Sequence, residues 1–261
     1  QAVIAQEKLN RHVLAVPQTA SGNNYLISWR MLDTDDDYTT FDGLKNGSVI
    51  ASDINSSTNY LDRQGSKTAT YQIVTKQNGV AIHTTEPIMP WQNLYATLTL
   101  ERPADVTFHG NTNTYSPNDC SVADVDGDGT LELVVKWEPS YPADNSQGGF
   151  TGPTFFDCYK IIEKNGILTA QKLWRIDMGH NIRSGPHYVP FLFYDFDGNG
   201  KAEFIVKTGP GTTDGTGKYV TDAADEAVIR VTDNEKEYLN GGGQVMYGPE
   251  FLTVFNGQTG A

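Results

Sequence analysis

Two acidic segments of the chain repeat one order of polar side chains, and that order suits the binding of a hard cation. One segment runs over residues 124–136 and the other over residues 195–207. In each, oxygen-bearing side chains occupy every second position, glycines allow the backbone to turn, and a glutamate stands eight residues after the first aspartate. Alternate side chains of such a loop point inward, and a carboxylate from the next strand can close the cage.

These two loops predict two calcium sites, because a set of oxygen ligands favours Ca²⁺ over zinc or copper. The predicted ligands are Asp124, Asp126, Asp128, Glu132 and the Thr130 carbonyl in the first loop, and Asp195, Asp197, Asn199, Glu203 and the Lys201 carbonyl in the second. The spacing resembles the start of an EF-hand loop, but the glutamate comes three residues early and no flanking helices are predicted. We expect structural rather than catalytic ions, with polar Asp-Gly turns between strands as the alternative.

A lysine ends the strand after each acidic loop, at the same offset. Lys136 precedes a polar, glycine-rich loop that contains Asn145, and Lys207 precedes another such loop. A lysine at the end of a strand is commonly just solvated, but loops at one end of a β scaffold are also where binding sites concentrate. These loops are therefore candidate substrate-binding segments.

A third cluster, residues 179–188, combines Asn181, Arg183 and His187 with a second histidine and a tyrosine. Arginine suits the bidentate recognition of a carboxylate, and histidine suits proton abstraction near neutral pH. The alternative is a structural hydrogen-bond network.

Composition excludes some classes of partner. The chain has 32 acidic and 19 basic residues, for a net charge of −13, whereas nucleic-acid binding needs clustered lysine and arginine. The charge equally disfavours an anionic membrane surface, and no apolar run is long enough to span a bilayer. The first residues lack the pattern of a signal peptide, so we expect a mature or trimmed chain. Cys120 and Cys158 are expected as small buried side chains, with a disulfide as the alternative.

The elements that must position these residues are predicted to be strands, because helical periodicity is weak almost throughout. Short β-branched or aromatic runs bounded by turn residues predict strands at 25–30, 70–74, 94–100, 131–135 and from 251 onward. A short turn at 7–16 and a small helix at 222–231 are the exceptions. The fold class is therefore all-β.

Two domains are expected, with the boundary near residues 86–90. Residues 1–88 have the strand spacing of a fibronectin-III-like sandwich, with Trp29 on an early strand. In residues 89–261 the internal repeat predicts blades of a β-propeller with long inserted loops. At most three units fit there, whereas propellers typically close with about four to eight blades. We therefore expect an incomplete propeller whose remainder belongs to a further segment or a second polypeptide.

The chain resembles a known family over nearly its whole length. The blocks SWRML, YSPNDCSVADVDGDG, DNSQGGFTGP, LWRIDMGHNIRSGPHY, YDFDGNGKAEFIVKT and GPEFLTVFNGQTGA occur in the order found in the rhamnogalacturonan lyases of polysaccharide lyase family 11. The resemblance implies a sandwich followed by an eight-bladed propeller, several bound calcium ions, and cleavage of the galacturonate–rhamnose backbone of rhamnogalacturonan I. It also implies an extracellular or periplasmic location.

The resemblance assigns some residues by position. Asn118 and Glu138 correspond to residues that line the family's substrate cleft, although the family usually has aspartate at the second position. For β-elimination, we expect Arg183 or Lys136 to neutralise the galacturonate carboxylate, and His187 or a residue beyond 261 to take the C5 proton. Asn145, Asn181 and Lys207 are the remaining expected substrate-binding residues.

Two other classes of function remain open at the level of sequence. A rhamnogalacturonan hydrolase would need two carboxylates about 5–9.5 Å apart, for which Glu138 and Asp144 are weak candidates. A calcium-stabilised carbohydrate-binding protein or adhesin would keep the metal loops and need no catalytic cluster.

Overall fold

The structure, a computed structural model, describes residues 8–261, and the all-β prediction is confirmed. In that part of the chain sixteen strands accompany one helix of a single turn. The strands are β1 (Leu14–Pro17), β2 (Tyr25–Ser28), β3 (Thr39–Lys45), β4 (Ser48–Ile54), β5 (Asn59–Asp62), β6 (Tyr71–Gln77), β7 (Val80–Thr84), β8 (Val106–Phe108), β9 (Asn111–Asn113), β10 (Tyr115–Ala123), β11 (Glu132–Pro139), β12 (Phe155–Lys164), β13 (Ile167–Asp177), β14 (Phe191–Tyr194), β15 (Glu203–Thr208) and β16 (Phe251–Asn256). The helix is α1 (Ala227–Arg230).

The smaller of two compact units comprises residues 9–99 and 162–169. It contains two antiparallel sheets, with strand orders β1-β2-β5 and β4-β3-β6-β7. Alternate residues of β2 and β6, including Tyr25, Ile27, Tyr71 and Ile73, are buried in one core, because period-2 alternation gives each sheet one apolar face. Trp29 lies just after β2 and packs edge-on against Phe41, with ring centroids 5.3 Å apart.

The larger unit comprises residues 100–161 and 170–261. It contains the sheet β10-β11-β12-β13, the sheet β14-β15-β16 and the hairpin β8-β9, all antiparallel. Phe156, Trp174, Phe204 and Phe255 belong to the apolar core that the two larger sheets share. In both sheets the acidic loop connects the first strand to the second, so the sequence repeat is also a structural repeat.

Three local predictions were wrong or too long. No strand forms at 94–100, where half-buried side chains alternate but no strand in the described part of the chain pairs with the backbone. The turn predicted at 7–16 begins outside the described residues, and its last part is β1, which pairs with β2. The helix predicted at 222–231 is reduced to α1, which has no buried residues and so lacks the packing that would lengthen it.

The cysteines form no disulfide. Cys158 is buried as expected, but Cys120 is exposed on β10, so the prediction of two buried thiols was wrong for that residue. Among the described helices none is long and apolar enough to cross a membrane.

Candidate functional site

The first acidic loop is folded around Asp124, whose side chain is fully buried. Its carboxylate accepts hydrogen bonds from the backbone N–H groups of Gly127 at 2.7 Å and Gly129 at 2.8 Å. Both glycines have positive φ, which lets the loop curl around the carboxylate. One oxygen from each of Asp124, Asp126 and Asp128 lies within 4.8 Å of the others, so the structure brings these predicted ligands together.

Glu132 closes the first loop from the start of β11. Its Oε2 accepts the Val125 N–H at 3.0 Å, whereas its Oε1 is buried and has no hydrogen-bond partner within residues 8–261. Burial, which outweighs that hydrogen bond, raises the pKa of Glu132. A buried carboxylate oxygen that accepts no hydrogen bond, beside three aspartates, fits the coordination of a cation.

A lysine reaches into the first loop, which the sequence did not indicate. The Lys160 ammonium lies 2.5 Å from Asp126 Oδ2, 2.7 Å from Asp128 Oδ2 and 3.7 Å from Glu132 Oε1. Hydrogen bonds to these two aspartates raise the pKa of Lys160. Lys160 comes from β12, the neighbour of β11, so only the sheet pairing reveals the contact.

The second loop repeats the backbone hydrogen bonds of the first, but a different set of carboxylates converges in it. Asp195 accepts the N–H groups of Gly198 and Gly200, each at 2.8 Å, and Glu203 Oε2 accepts the Phe196 N–H at 2.8 Å. Oxygens of Asp195, Asp197 and Glu203 lie within 4.8 Å of one another. Here the Asn199 amide donates to Asp197 Oδ2 at 2.9 Å, where the first loop uses the lysine.

The predicted carbonyl ligands lie on the same loops. The N–H groups of Thr130 and Lys201 donate to Asp128 at 2.8 Å and Asn199 at 2.9 Å, which fixes both loops just before the closing glutamate. The Ala202 N–H also donates to the Asp124 carbonyl at 2.7 Å, so the two loops are neighbours.

Arg183 is buried, with 1% of its surface exposed, and its guanidinium donates hydrogen bonds to backbone carbonyls. It donates to the carbonyls of Gly149 at 2.7 Å, Gln147 at 3.0 Å and Asp144 at 3.4 Å, and also to the carbonyl of Gly243. Burial lowers its pKa. The residue therefore ties two loops together and does not present its charge at the surface.

Asn145 and Asn181 have similar roles. The Asn145 side chain donates to the Val245 carbonyl at 2.6 Å and accepts the Val245 N–H at 2.7 Å. The Asn181 amide donates to the carbonyls of Pro210 at 2.8 Å and Lys236 at 2.9 Å. The structural hydrogen-bond network that the sequence left open is thus present for these two residues and Arg183.

His187 is the exposed member of the cluster. Its Nδ1 lies 3.2 Å from Asp144 Oδ2, and 87% of its side chain is exposed. Gly185 leaves room for the Asp144 carboxylate, because an added Cβ there would stand 2.0 Å from Asp144 Oδ1. A carboxylate on one ring nitrogen orients the imidazole and leaves the other nitrogen to exchange protons.

Lys136 lies beneath the same surface, with no exposed side-chain area. Its ammonium is 3.4 Å from the Pro186 carbonyl and 3.9 Å from Asp119 Oδ2. Burial lowers the pKa of Lys136, and the nearby charges of Asp119, Glu138 and Asp144 oppose that effect. A buried lysine among three acids is typical of a functional site, although structural networks show the same feature.

Asn118 and Glu138, which the resemblance assigns to the substrate cleft, lie side by side on neighbouring strands. The Asn118 amide donates to Glu138 Oε2 at 3.4 Å across β10 and β11. Lys207 is 3.1 Å from Glu250 Oε1, and its ammonium stands 3.6 Å from the centre of the Tyr188 ring. Lys207 is partly exposed, unlike Lys136.

Comparison with known proteins decides the family. The family model described as rhamnogalacturonan lyase family 11, C-terminal domain, matches residues 95–261, and the rhamnogalacturonan I lyases beta-sheet domain matches residues 4–91. The chain belongs to rhamnogalacturonan lyase family 11. The resemblance drawn from the sequence blocks is therefore confirmed.

Relatives within family 11 match almost all of this chain. Rhamnogalacturonan endolyase YesW of Bacillus subtilis (strain 168) is 42% identical over 97% of the chain and 38% of its own length. Rhamnogalacturonan exolyase YesX of the same organism is 40% identical with the same coverages. The crystal structure of YesX superposes with a TM-score of 0.83, covering 98% of this chain and 39% of YesX. The structure titled Bacillus licheniformis Rhamnogalacturonan Lyase PL11 gives 0.84 at 41% identity, covering 98% and 41%. The chain thus spans about two fifths of these relatives.

Proposed function

We propose that this protein takes part in cleaving the galacturonate–rhamnose backbone of rhamnogalacturonan I by β-elimination. The observation that carries the proposal is about 40% identity, over nearly the whole chain, to two proteins named as rhamnogalacturonan lyases. In this reaction a base removes the C5 proton of a galacturonate residue, and the electron pair forms the C4–C5 double bond. The C4–O4 glycosidic bond breaks, and the leaving oxygen takes up a proton.

His187 is the proton acceptor in this proposal, because it alone of the predicted catalytic residues presents its functional group to solvent. Asp144 orients its ring. Lys136 and Arg183 act from the interior. Lys136 reduces the repulsion between the acids of the site and a polyanionic substrate, and Arg183 holds the loop that carries Asp144.

Asn118 and Glu138 line the cleft and hydrogen-bond sugar hydroxyl groups, and Lys207 pairs with a galacturonate carboxylate. These roles are proposed from the exposed amide of Asn118, its contact with Glu138 and the partly exposed ammonium of Lys207. Asn145 and Asn181 support the loops around the cleft.

We further propose that both acidic loops hold calcium. Asp124, Asp126, Asp128, Glu132 and the Thr130 carbonyl would hold one ion, and Asp195, Asp197, Asn199, Glu203 and the Lys201 carbonyl the other. The buried Glu132 oxygen that accepts no hydrogen bond and the two convergent carboxylate clusters support this assignment. When bound, each ion supplies charge neutralisation that stabilises the loop.

The proposed architecture is a fibronectin-III-like sandwich at 1–88 and the first blades of an eight-bladed propeller at 89–261. The three-plus-four strand arrangement of the smaller unit and the repeated loop–strand unit of the larger one support it. The remaining blades would come from a further segment or a second polypeptide. An extracellular or periplasmic location follows from the proposed polymeric substrate.

The test measures the ultraviolet absorbance of unsaturated galacturonate during incubation with rhamnogalacturonan I, with calcium and with a chelator. The chain is assayed alone and together with the proposed remaining blades. We expect a calcium-dependent rise for the assembled protein that is absent on polygalacturonate. His187→Gln should abolish most of it, and His83→Gln, an exposed histidine of the smaller unit, should not.

Two outcomes would contradict the lyase. New reducing ends without the double bond would indicate the hydrolase. Binding of the polysaccharide without any cleavage by the assembled protein would indicate the adhesin.

A further inference from the structure

Lys236 lies over two tyrosine rings on the loops of the larger unit. Its ammonium is 4.9 Å from the centre of the Tyr238 ring and 5.8 Å from that of Tyr247. The two rings meet edge-on at 5.6 Å, and 55% of Tyr247 is exposed. An ammonium held at this distance from aromatic rings keeps its other N–H groups available for an anion.

The acids beside Lys236 are all occupied elsewhere. Glu237 pairs with His109 at 2.8 Å, Glu235 accepts a hydrogen bond from the Tyr219 hydroxyl, and Asp233 accepts the Glu235 N–H at 3.0 Å. Within the described residues Lys236 itself has no ion pair, in a chain of net charge −13. The sequence around it is acidic, yet none of these three carboxylates forms an ion pair with the Lys236 ammonium.

The segment that carries Lys236 and Tyr238 is hydrogen-bonded to a buried side chain. Asn181, which is 6% exposed, donates to the Lys236 carbonyl at 2.9 Å and accepts the Tyr238 N–H at 2.7 Å. Gly248 allows the Tyr238 ring to pack closely, because a Cβ there would stand 2.5 Å from that ring. Ordering the segment before binding reduces the entropy lost when a ligand docks.

We propose that Lys236, Tyr238 and Tyr247 form a binding subsite for one galacturonate residue of the polysaccharide. The ammonium pairs with the C6 carboxylate, and the exposed face of Tyr247 packs against the C–H groups of the sugar ring. This inference rests on the proposed function, because it takes its ligand from the same substrate. It adds a positive contact that is separate from His187 and from both acidic loops.

The test is calorimetric titration of the chain with a rhamnogalacturonan I oligosaccharide and with its carboxyl-reduced counterpart. Lys236→Met should weaken binding of the charged ligand about tenfold or more, since an ion pair and its contact with the rings are lost together. Lys236→Arg should retain most of the affinity. Tyr247→Ala should weaken binding of both ligands, because stacking does not depend on the carboxylate.

The matched controls are Lys218→Met, an exposed lysine elsewhere on the larger unit, and Tyr38→Ala, an exposed tyrosine of the smaller unit; neither should change binding. Wild type and Lys236→Met should bind the carboxyl-reduced ligand equally. Equal affinities of wild type and Lys236→Met for the charged ligand would overturn the subsite, as would no binding by wild type. The absorbance assay reports cleavage separately, so a failed subsite with intact cleavage is distinguishable from a failed lyase.

Discussion

At the scale of single residues, the polar side chains of the larger unit divide by what their charged or polar ends contact. The side chains of Arg183 and Asn181 donate hydrogen bonds to backbone carbonyls of neighbouring loops. His187 and Lys236, in contrast, are exposed to solvent. Loops carry much unpaired backbone, and buried side chains that satisfy it hold the loops in one conformation. The exposed groups therefore stand on a fixed frame.

Asp144→Asn tests whether His187 is oriented for proton transfer. An amide can place a hydrogen-bond donor against Nδ1 and does not stabilise a protonated ring, so we expect turnover of the assembled protein to fall about 10–100-fold. The Michaelis constant should change little. Asp225→Asn, at an exposed position, is the control.

Because Asp144 and His187 act together in this proposal, the double variant Asp144→Asn with His187→Gln should be no slower than His187→Gln alone. Additive losses would contradict the pairing.

At the scale of elements, the two acidic loops have the same backbone plan but different charge. The first has four carboxylates and the Lys160 ammonium, and the second has three carboxylates and Asn199. An ammonium or an amide thus holds the outer oxygens of each loop. The Lys160 ammonium places a positive charge beside the carboxylates of the first loop. This charge should stabilise the loop when no metal is bound.

Lys160→Met should therefore destabilise the protein more without calcium than with it. In chelator we expect a loss of about 1–3 kcal/mol in the free energy of unfolding, because two charge-assisted hydrogen bonds disappear among mutually repelling acids. Saturating calcium should reduce the loss, since the ion compensates the same carboxylates. Urea unfolding in chelator and in calcium measures this loss of unfolding free energy. Lys172→Met is the control. Equal losses in the two conditions would show that calcium and Lys160 act independently.

The β8-β9 hairpin supplies a pH-dependent contact. His180 stacks on Phe108, with ring centroids 3.7 Å apart, and its buried Nδ1 has no hydrogen-bond partner among the residues that the structure describes. Burial lowers the pKa of His180, the nearby His109 adds to this, and Glu237 opposes it. The unfolded chain then binds more protons than the folded one between the lowered pKa and about 6.5.

Acidification through that window should thus destabilise the wild type, and stability should be fully regained above it. His180→Phe keeps the ring stack and removes the titration, so its unfolding free energy should fall less between about pH 7.5 and pH 5.5. Urea unfolding at the two pH values checks this, with His83→Gln as the control. A variant as acid-sensitive as the wild type would rule out His180 as the source.

At the scale of the whole molecule, the sheet β14-β15-β16 has two different faces. One is buried through Phe193, Phe204 and Phe255, which are paired across the three strands. The other exposes apolar side chains that also share a face: Leu192, Tyr194, Leu252 and Val254. Such a contiguous exposed face is typical of a surface that another element covers, and it supports the proposal of further blades.

Leu252→Asp should weaken association with those blades, because Leu252 is 78% exposed and its replacement places a charge in the apolar contact. We expect co-purification and lyase activity of the two-part assembly to fall, while the melting temperature of the chain alone is unchanged. Ile167→Asp, at an exposed position of the smaller unit, is the control. Unaltered assembly would show that this face lies outside the contact.

The sequence alone determined the features that depend on near neighbours. The acidic loops, with their carboxylates and turn glycines within nine residues, were predictable because local spacing sets their geometry. The strands predicted at 25–30 and 70–74 followed from short β-branched or aromatic runs bounded by turn residues, and the ordered blocks were enough to indicate the family. The strand expected at 94–100 failed because pairing needs a partner strand, which local pattern does not supply.

Only the tertiary structure decided which polar groups reach solvent. Arg183 and Lys136 are as suited to a carboxylate as any surface cation, yet the fold buries both. Asp144 meets His187, and Lys160 meets Asp126, across 43 and 34 residues of chain. Residue type and spacing limit the chemistry a side chain can perform. Whether its charge faces water, a carbonyl or another charge depends on long-range packing, because burial and hydrogen-bond partners come from segments distant in sequence.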